Sequence, residues 1–198
     1  MEQYLDSPER CKGLVVRIQA SISSLGNLAR LDALAPEMRS YGMYLEKERE
    51  LLLGLIENGA VLQAILSPYR ISIDAQEAPD ERITRIERVI SFLKRNDDCI
   101  NRCQFVVAPG GSPNLVFFGE QILFEGHKTE IQRGFGWTMV FNDTDLINAR
   151  IRIFDGFFES ARRYTMEHYG GDQKDLNDPE ALRQAVISAL NTAKMSPL

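Results

Sequence analysis

The chain predicts an α/β fold, a mixed β-sheet flanked by helices, and three stretches carry that prediction. Residues 41–57 show one apolar helical face, and Asn58-Gly59 leads straight into the apolar run Ala60 to Leu66. A helix passing through Asn-Gly into an apolar strand marks an αβ unit of a parallel sheet. Residues 114–143, NLVFFGEQILFEGHKTEIQRGFGWTMVFND, read as consecutive strands, the first two joined by a turn at Gly119-Glu120. Ile147, Ile151, Phe154, Phe157 and Phe158 then recur at helical spacing, as the buried face of a long helix.

In chain order, Asp6-Ser7-Pro8-Glu9 looks like a helix start, with Asp6 or Ser7 as the cap. Leu14 to Ile22 is the first strand, and Ser21, Ser23 and Ser24 stand at its C-terminal end. Residues 25–39 hold a short helix before Pro36. The helix of residues 41–57 sets Leu45, Leu52, Leu55 and Ile56 against a charged face, and Gly59 suits the left-handed residue that closes it. Ala60 to Leu66 is the second strand, stopped by Ser67-Pro68. Asp80 to Lys94 is a second helix, and Asn101 to Ala108 a third strand. Pro109-Gly110-Gly111-Ser112-Pro113 is a turn-rich loop before the central β stretch. Gly126-His127-Lys128 interrupts that stretch, and Asn142-Asp143 ends it. Thr144 or Asp145 caps a helix running to Arg163, and Asp178-Pro179-Glu180 opens a last helix to Lys194. The organisation is one α/β domain over residues 1–170, with 171–198 as a C-terminal helical extension. Early strands are parallel and later ones antiparallel.

The chain has 198 residues, enough for one large core, and 26% are charged. A net charge of −5 offers no general attraction to nucleic acid or to anionic membranes. No apolar run reaches the roughly 20 residues that span a bilayer. The acidic, polar start MEQYLDSPERCKG has no signal-peptide character. Cys11, Cys99 and Cys103 are an odd, sparse set, which fits reduced thiols in the cytoplasm. Cys99-x3-Cys103 suits half a metal site, but no second Cys/His pair lies nearby, and His127 and His168 sit in no ligand-spaced motif, so no metal and no cofactor is expected.

Candidate site residues gather in three places. His127-Lys128-x-Glu130 is the sharpest polar cluster: His127 suits anion binding or proton transfer near neutral pH, and its plainer use is a strand-end hydrogen bond to a carbonyl. In Gln132-Arg133-Gly134-Phe135-Gly136-Trp137, Arg133 suits a carboxylate or phosphate fork and Trp137 a stacking surface. The plainer use of that segment is a β-bulge with Trp137 as a core anchor. Ser21, Ser23, Ser67, Tyr69 and Arg70 are candidates by position, because ligands of open α/β sheets sit beyond the C-termini of the parallel strands. The Pro109 to Pro113 loop lacks a P-loop lysine and opens no helix.

The element order resembles one half of the phospholipase D superfamily, in which αβ units lead to strands bearing HxKxxxxD, then GSxN and a helix. The resemblance covers roughly residues 14–165 and rests on the passage Glu50 to Leu66 and on NLVFFGEQILFEGHKT. Phe118-Gly119 falls where the family has its Asp and following Gly, and Gly126 falls where GSxN begins. The catalytic His and Lys positions then fall on Gly111 and Pro113, or one residue along on Ser112 and Asn114. The Ser and Asn of GSxN become His127 and Thr129. The resemblance therefore implies a non-catalytic domain that keeps the cleft, like the ligand-sensing or regulatory modules of bacterial regulators. Its expected partners are a small anionic molecule, a second copy of the chain and a regulatory protein. Direct nucleic-acid binding and membrane attachment are not expected. Two rival readings stand beside it. One is a phosphodiesterase or nuclease-type hydrolase using His127 across a dimer. The other is a protein–protein interaction module without ligand.

Overall fold

A computed structural model of the chain describes residues 8–21, 47, 50–67, 100–108, 113–127, 137–167, 184, 185 and 188. Expected elements at residues 25–39, Asp80 to Lys94 and most of Asp178 to Lys194 lie outside the described residues, as does the 170/171 boundary. The architecture is α/β. Six strands form one mixed sheet: β1 Val15–Ser21, β2 Val61–Ser67, β3 Cys103–Val107, β4 Asn114–Phe118, β5 Ile122–His127 and β6 Trp137–Phe141. Their order across the sheet is β3-β2-β1-β4-β5-β6. β1, β2 and β3 run parallel, and β4, β5 and β6 alternate from there.

Every strand predicted among these residues is present, with shifted bounds. β1 starts at Val15 because Leu14 closes a turn, its N–H bonding to the Cys11 carbonyl at 3.0 Å. β2 starts at Val61 because Ala60 is still part of the helix cap. β3 starts at Cys103 because Ile100–Arg102 is a 3-10 turn. The helix start expected near Pro8 is likewise a 3-10 turn, Pro8–Arg10. β5 does not break at Gly126-His127: the strand continues through both, paired to Thr138 and Trp137 of β6.

The sheet has two apolar faces, as period-two alternation demands when both sides are covered. On the first, Val16, Ile18, Leu62, Ala64, Cys103, Phe105 and Val107 pack against Leu55 and Ile56 of the helix through residues 50–57. That helix ends as the Asn58-Gly59 signal predicts. Gly59 takes φ +104, its N–H bonds to the Ile56 carbonyl, and the Ala60 N–H bonds back to Leu55. This paired arrangement satisfies carbonyls the helix leaves open. Arg102 donates to the carbonyl of Ile56 at 2.9 Å, tying the entrance of β3 to the same helix end. Ala185, in a helical residue pair with Gln184, is fully buried in this core.

The second face is covered by the long helix Thr144–Glu167, whose Ile147, Ile151, Phe154 and Phe158 meet Ile65, Val106, Leu115, Phe117 and Leu123. Its cap is Asp143, not Thr144 or Asp145. The Asp143 carboxylate accepts from the N–H groups of Asp145 and Leu146, both at 3.0 Å, and its carbonyl accepts from Ile147. Phe157 is also corrected: it is 57% exposed, because it lies a quarter turn from the buried stripe of Phe154 and Phe158.

Candidate functional site

Strand direction brings the expected site residues to one end of the sheet. β1 and β2 finish there at Ser21 and Ser67, paired with each other in register. β5 finishes there at His127, β6 begins there at Trp137, and these two are also a register pair. Of the four, three come from strands that point the same way, and Trp137 starts a strand running back from the same edge.

Their register positions fall in one row. Gln19, Ile65, Leu115, Glu125 and Met139 form one row across the sheet, on the side of the long helix. Counting two residues on from Gln19, Ile65 and Glu125, and two back from Met139, gives Ser21, Ser67, His127 and Trp137 as the next row, at register positions on that face. Among the described residues, the entry to β4 lies between Ser21 and His127, where exposed Pro113 precedes Asn114. Two strand intervals separate those residues, about 10 Å at the usual spacing of about 4.8 Å. That span matches a small molecule.

The long helix supplies a wall. Arg17 on β1 binds Asp155 through Nε at 3.1 Å, and Glu125 on β5 meets Arg150 at 3.6 Å. Glu125 sits in a row two residues nearer the strand C-terminal end than Arg17, whose row partners are Phe117 and then Leu123. The Arg150 flank of the helix therefore faces the site end, and the Asp155 flank faces the other. At 100° per residue, Leu146, Ile153 and Phe157 lie on the Arg150 flank, and all three are exposed. The wall offers one guanidinium, 43% exposed and loosely held by a carboxylate that is 13% exposed, among apolar side chains. A guanidinium has five N–H donors, so one loose ion pair leaves Arg150 donors able to fork to an anion.

Sequence reasoning missed Arg150, Glu125 and the Ile153–Phe157 flank. The helical period could have put Arg150 and Phe157 on one side, but not which side faces the strand ends. Ser67 is fully buried, so it supports the edge from within the sheet. Ser23, Tyr69, Arg70, Lys128 and Arg133 lie outside the described residues. Among the described residues no three His, Cys, Asp or Glu side chains gather to hold a metal ion, and no helix is long and apolar enough to cross a membrane. No protein-family model, curated protein or solved structure matches the chain.

Proposed function

We propose that the chain is a non-catalytic ligand-sensing or regulatory domain of phospholipase D-like fold, acting in the cytoplasm as a homodimer. A small anionic ligand binds across the strand C-terminal end, between the Ser21–His127–Trp137 row and the Arg150 flank of the long helix. The observation that carries this reading is the register. It draws register positions from three strands into one row, about 10 Å from Ser21 to His127 and about 14 Å from Ser21 to Trp137, beside a half-exposed arginine. Ligand sites of open α/β sheets are found at that end. The loss of His and Lys at the positions the family motif needs, now Gly111 and Pro113, argues for binding without phosphodiester chemistry.

A second reading has its own observation. Leu146, Ile153 and Phe157 are exposed apolar side chains on one flank, which suits a protein-interaction module without ligand.

Thermal unfolding against nucleotides, cyclic nucleotides, sugar phosphates and small carboxylates tests both. A binder at about 100 times its Kd stabilises by about 2.7 kcal/mol, which moves the midpoint several degrees. The shift should be lost in His127→Ala and in Arg150→Ala. A panel flat for every anion, or a shift that survives both substitutions, overturns the ligand reading and favours the interaction module.

A further inference from the structure

Three polar residues are buried among those described, Gln19, Ser67 and Thr165. Thr165 accepts from the Val107 N–H and donates to the Ala161 carbonyl, and Ser67 also has a partner. Nearer the surface, the Gln63 carboxamide donates to that of Gln104 at 3.1 Å. Gln19 differs: it is 8% exposed, and among the described residues its carboxamide makes no hydrogen bond. A carboxamide carries one acceptor and two donors, and burying them unmet costs stability that an apolar side chain would not. The register neighbours of Gln19 are Ile65 and Leu115, both in the apolar core under the long helix, so an apolar residue would suit the position better. A polar group kept in such a place is accounted for when a ligand completes its hydrogen bonds.

Gln19 lies beside the site. It is two residues before Ser21 on β1 and stands in the row Gln19–Leu115–Glu125, on the side of the long helix. Gln19 and Glu125 are two strand intervals apart, about 10 Å. The Glu125 carboxylate, 13% exposed, meets Arg150 at 3.6 Å. One cation, one anion and one neutral amide therefore gather at this end of the sheet. A ligand bearing only negative charge would set its anion on Arg150 close to the Glu125 carboxylate, and like charges at such short range oppose binding. A ligand with an ammonium beside its anion matches both charges.

We propose that Gln19, Glu125 and Arg150 bind the ligand, and that the ligand is an α-amino acid. Arg150 takes its carboxylate and Glu125 its ammonium. Gln19, able to donate and to accept, takes a polar group of its side chain. A carboxylate has about four acceptor positions, so Glu125 can serve Arg150 and an ammonium together. The proposal rests on the ligand site of the functional reading and names the class of ligand.

Thermal unfolding of the full chain against the twenty protein amino acids is the test. The matching 2-hydroxy acids and decarboxylated amines, each keeping one of the two charges, are the controls. At least one amino acid with a polar side chain should raise the midpoint by several degrees. Its hydroxy acid and its amine should bind at least about tenfold more weakly. Gln19→Met keeps the length of the side chain. It should raise the midpoint of the ligand-free chain, because the buried amide is gone, and weaken amino-acid binding at least about tenfold. Glu125→Gln should bring the amino acid and its hydroxy acid to equal affinity. A hydroxy acid or a sugar phosphate bound as tightly as any amino acid overturns the amino-acid class and leaves the ligand site standing. A Gln19→Met chain that is less stable, with amino-acid affinity unchanged, makes Gln19 structural and overturns its place in the site. No shift with any compound, the anions of the functional panel included, overturns the ligand site itself and the amino-acid class with it.

Discussion

The Thr165 hydroxyl accepts a hydrogen bond from the Val107 N–H at 2.8 Å and donates to the Ala161 carbonyl at 2.7 Å. One side chain thus satisfies the outer edge of β3 and anchors the last turns of the long helix to the sheet. Both groups are fully buried, so water is not at hand to replace the hydroxyl. Thr165→Val keeps the shape and strands the Val107 N–H, and should cost about 1–3 kcal/mol in urea unfolding. Thr165→Ser keeps the hydroxyl and loses one methyl, about 0.8 kcal/mol by area. A serine variant less stable than the valine variant would show that packing, not the hydrogen bond, holds this edge.

Phe154 and Phe157 are three residues apart on one helix and have opposite fates. Phe154 is 1% exposed, meets Phe117 edge-on with centroids 5.7 Å apart, and stacks near Phe158. Phe154→Ala should cost about 3–5 kcal/mol, the range for a buried aromatic truncated to a cavity. Phe157→Ala should stay within about 0.5 kcal/mol, as surface changes do. Equal losses from the two would mean that Phe157 is covered in solution, and comparing chemical denaturation at several protein concentrations would separate self-association from intrachain packing.

Gly119 turns the β4–β5 hairpin at φ +57, and a Cβ there would lie 3.0 Å from Leu14 Cδ1. Gly119→Ala should destabilise by about 1–2 kcal/mol from the left-handed backbone alone. Gly156 stands in the long helix with open space where a Cβ would go. Gly156→Ala should stabilise by about 0.5–1 kcal/mol, through helix propensity. Thermal midpoints of the two variants should move in opposite directions, and a shared sign would contradict one of these backbone readings.

Burial pushes the Cys11 thiol above its ordinary pKa, because the thiolate is poorly solvated in the core. The folded chain therefore holds this proton to higher pH than the unfolded chain does. The stabilisation is full below the unfolded thiol value, about 8.5, and declines as pH rises from there through the folded value. Urea midpoints of wild type and Cys11→Ala should converge as pH is raised across that window. A gap that widens with pH would reverse the sign and show that the folded state favours the thiolate.

Much of the fold is legible in local pattern. The run Ala60 to Leu66 and the Asn58-Gly59 stop mark β2 and the helix before it, since helix caps and strand alternation are decided within a few residues. Gly119-Glu120 marks its hairpin for the same reason. Asp143 was hidden because Asn142, Asp143, Thr144 and Asp145 are all competent caps, and only the angle at which the chain leaves β6 selects one. Phe157 was misplaced because an aromatic beside Phe154 and Phe158 satisfies the apolar pattern whether or not it reaches the sheet.

By itself the sequence determined the strands among the described residues to within a few positions, the helices that precede β2 and follow β6, and the mixed character of the sheet. These follow from hydrophobic period and turn chemistry, which act over short stretches of chain. Only the tertiary structure decided that β4 adds beside β1, which makes the order β3-β2-β1-β4-β5-β6 and sets the Ser21 and His127 ends on one edge. It also decided that the Arg150 flank of the long helix faces that edge. The first is strand pairing between residues far apart in sequence, Val16 with Phe118 and Ile18 with Val116, and the second is the seating of the long helix on the sheet, marked by Arg17 with Asp155 and Glu125 with Arg150; no local pattern reaches either.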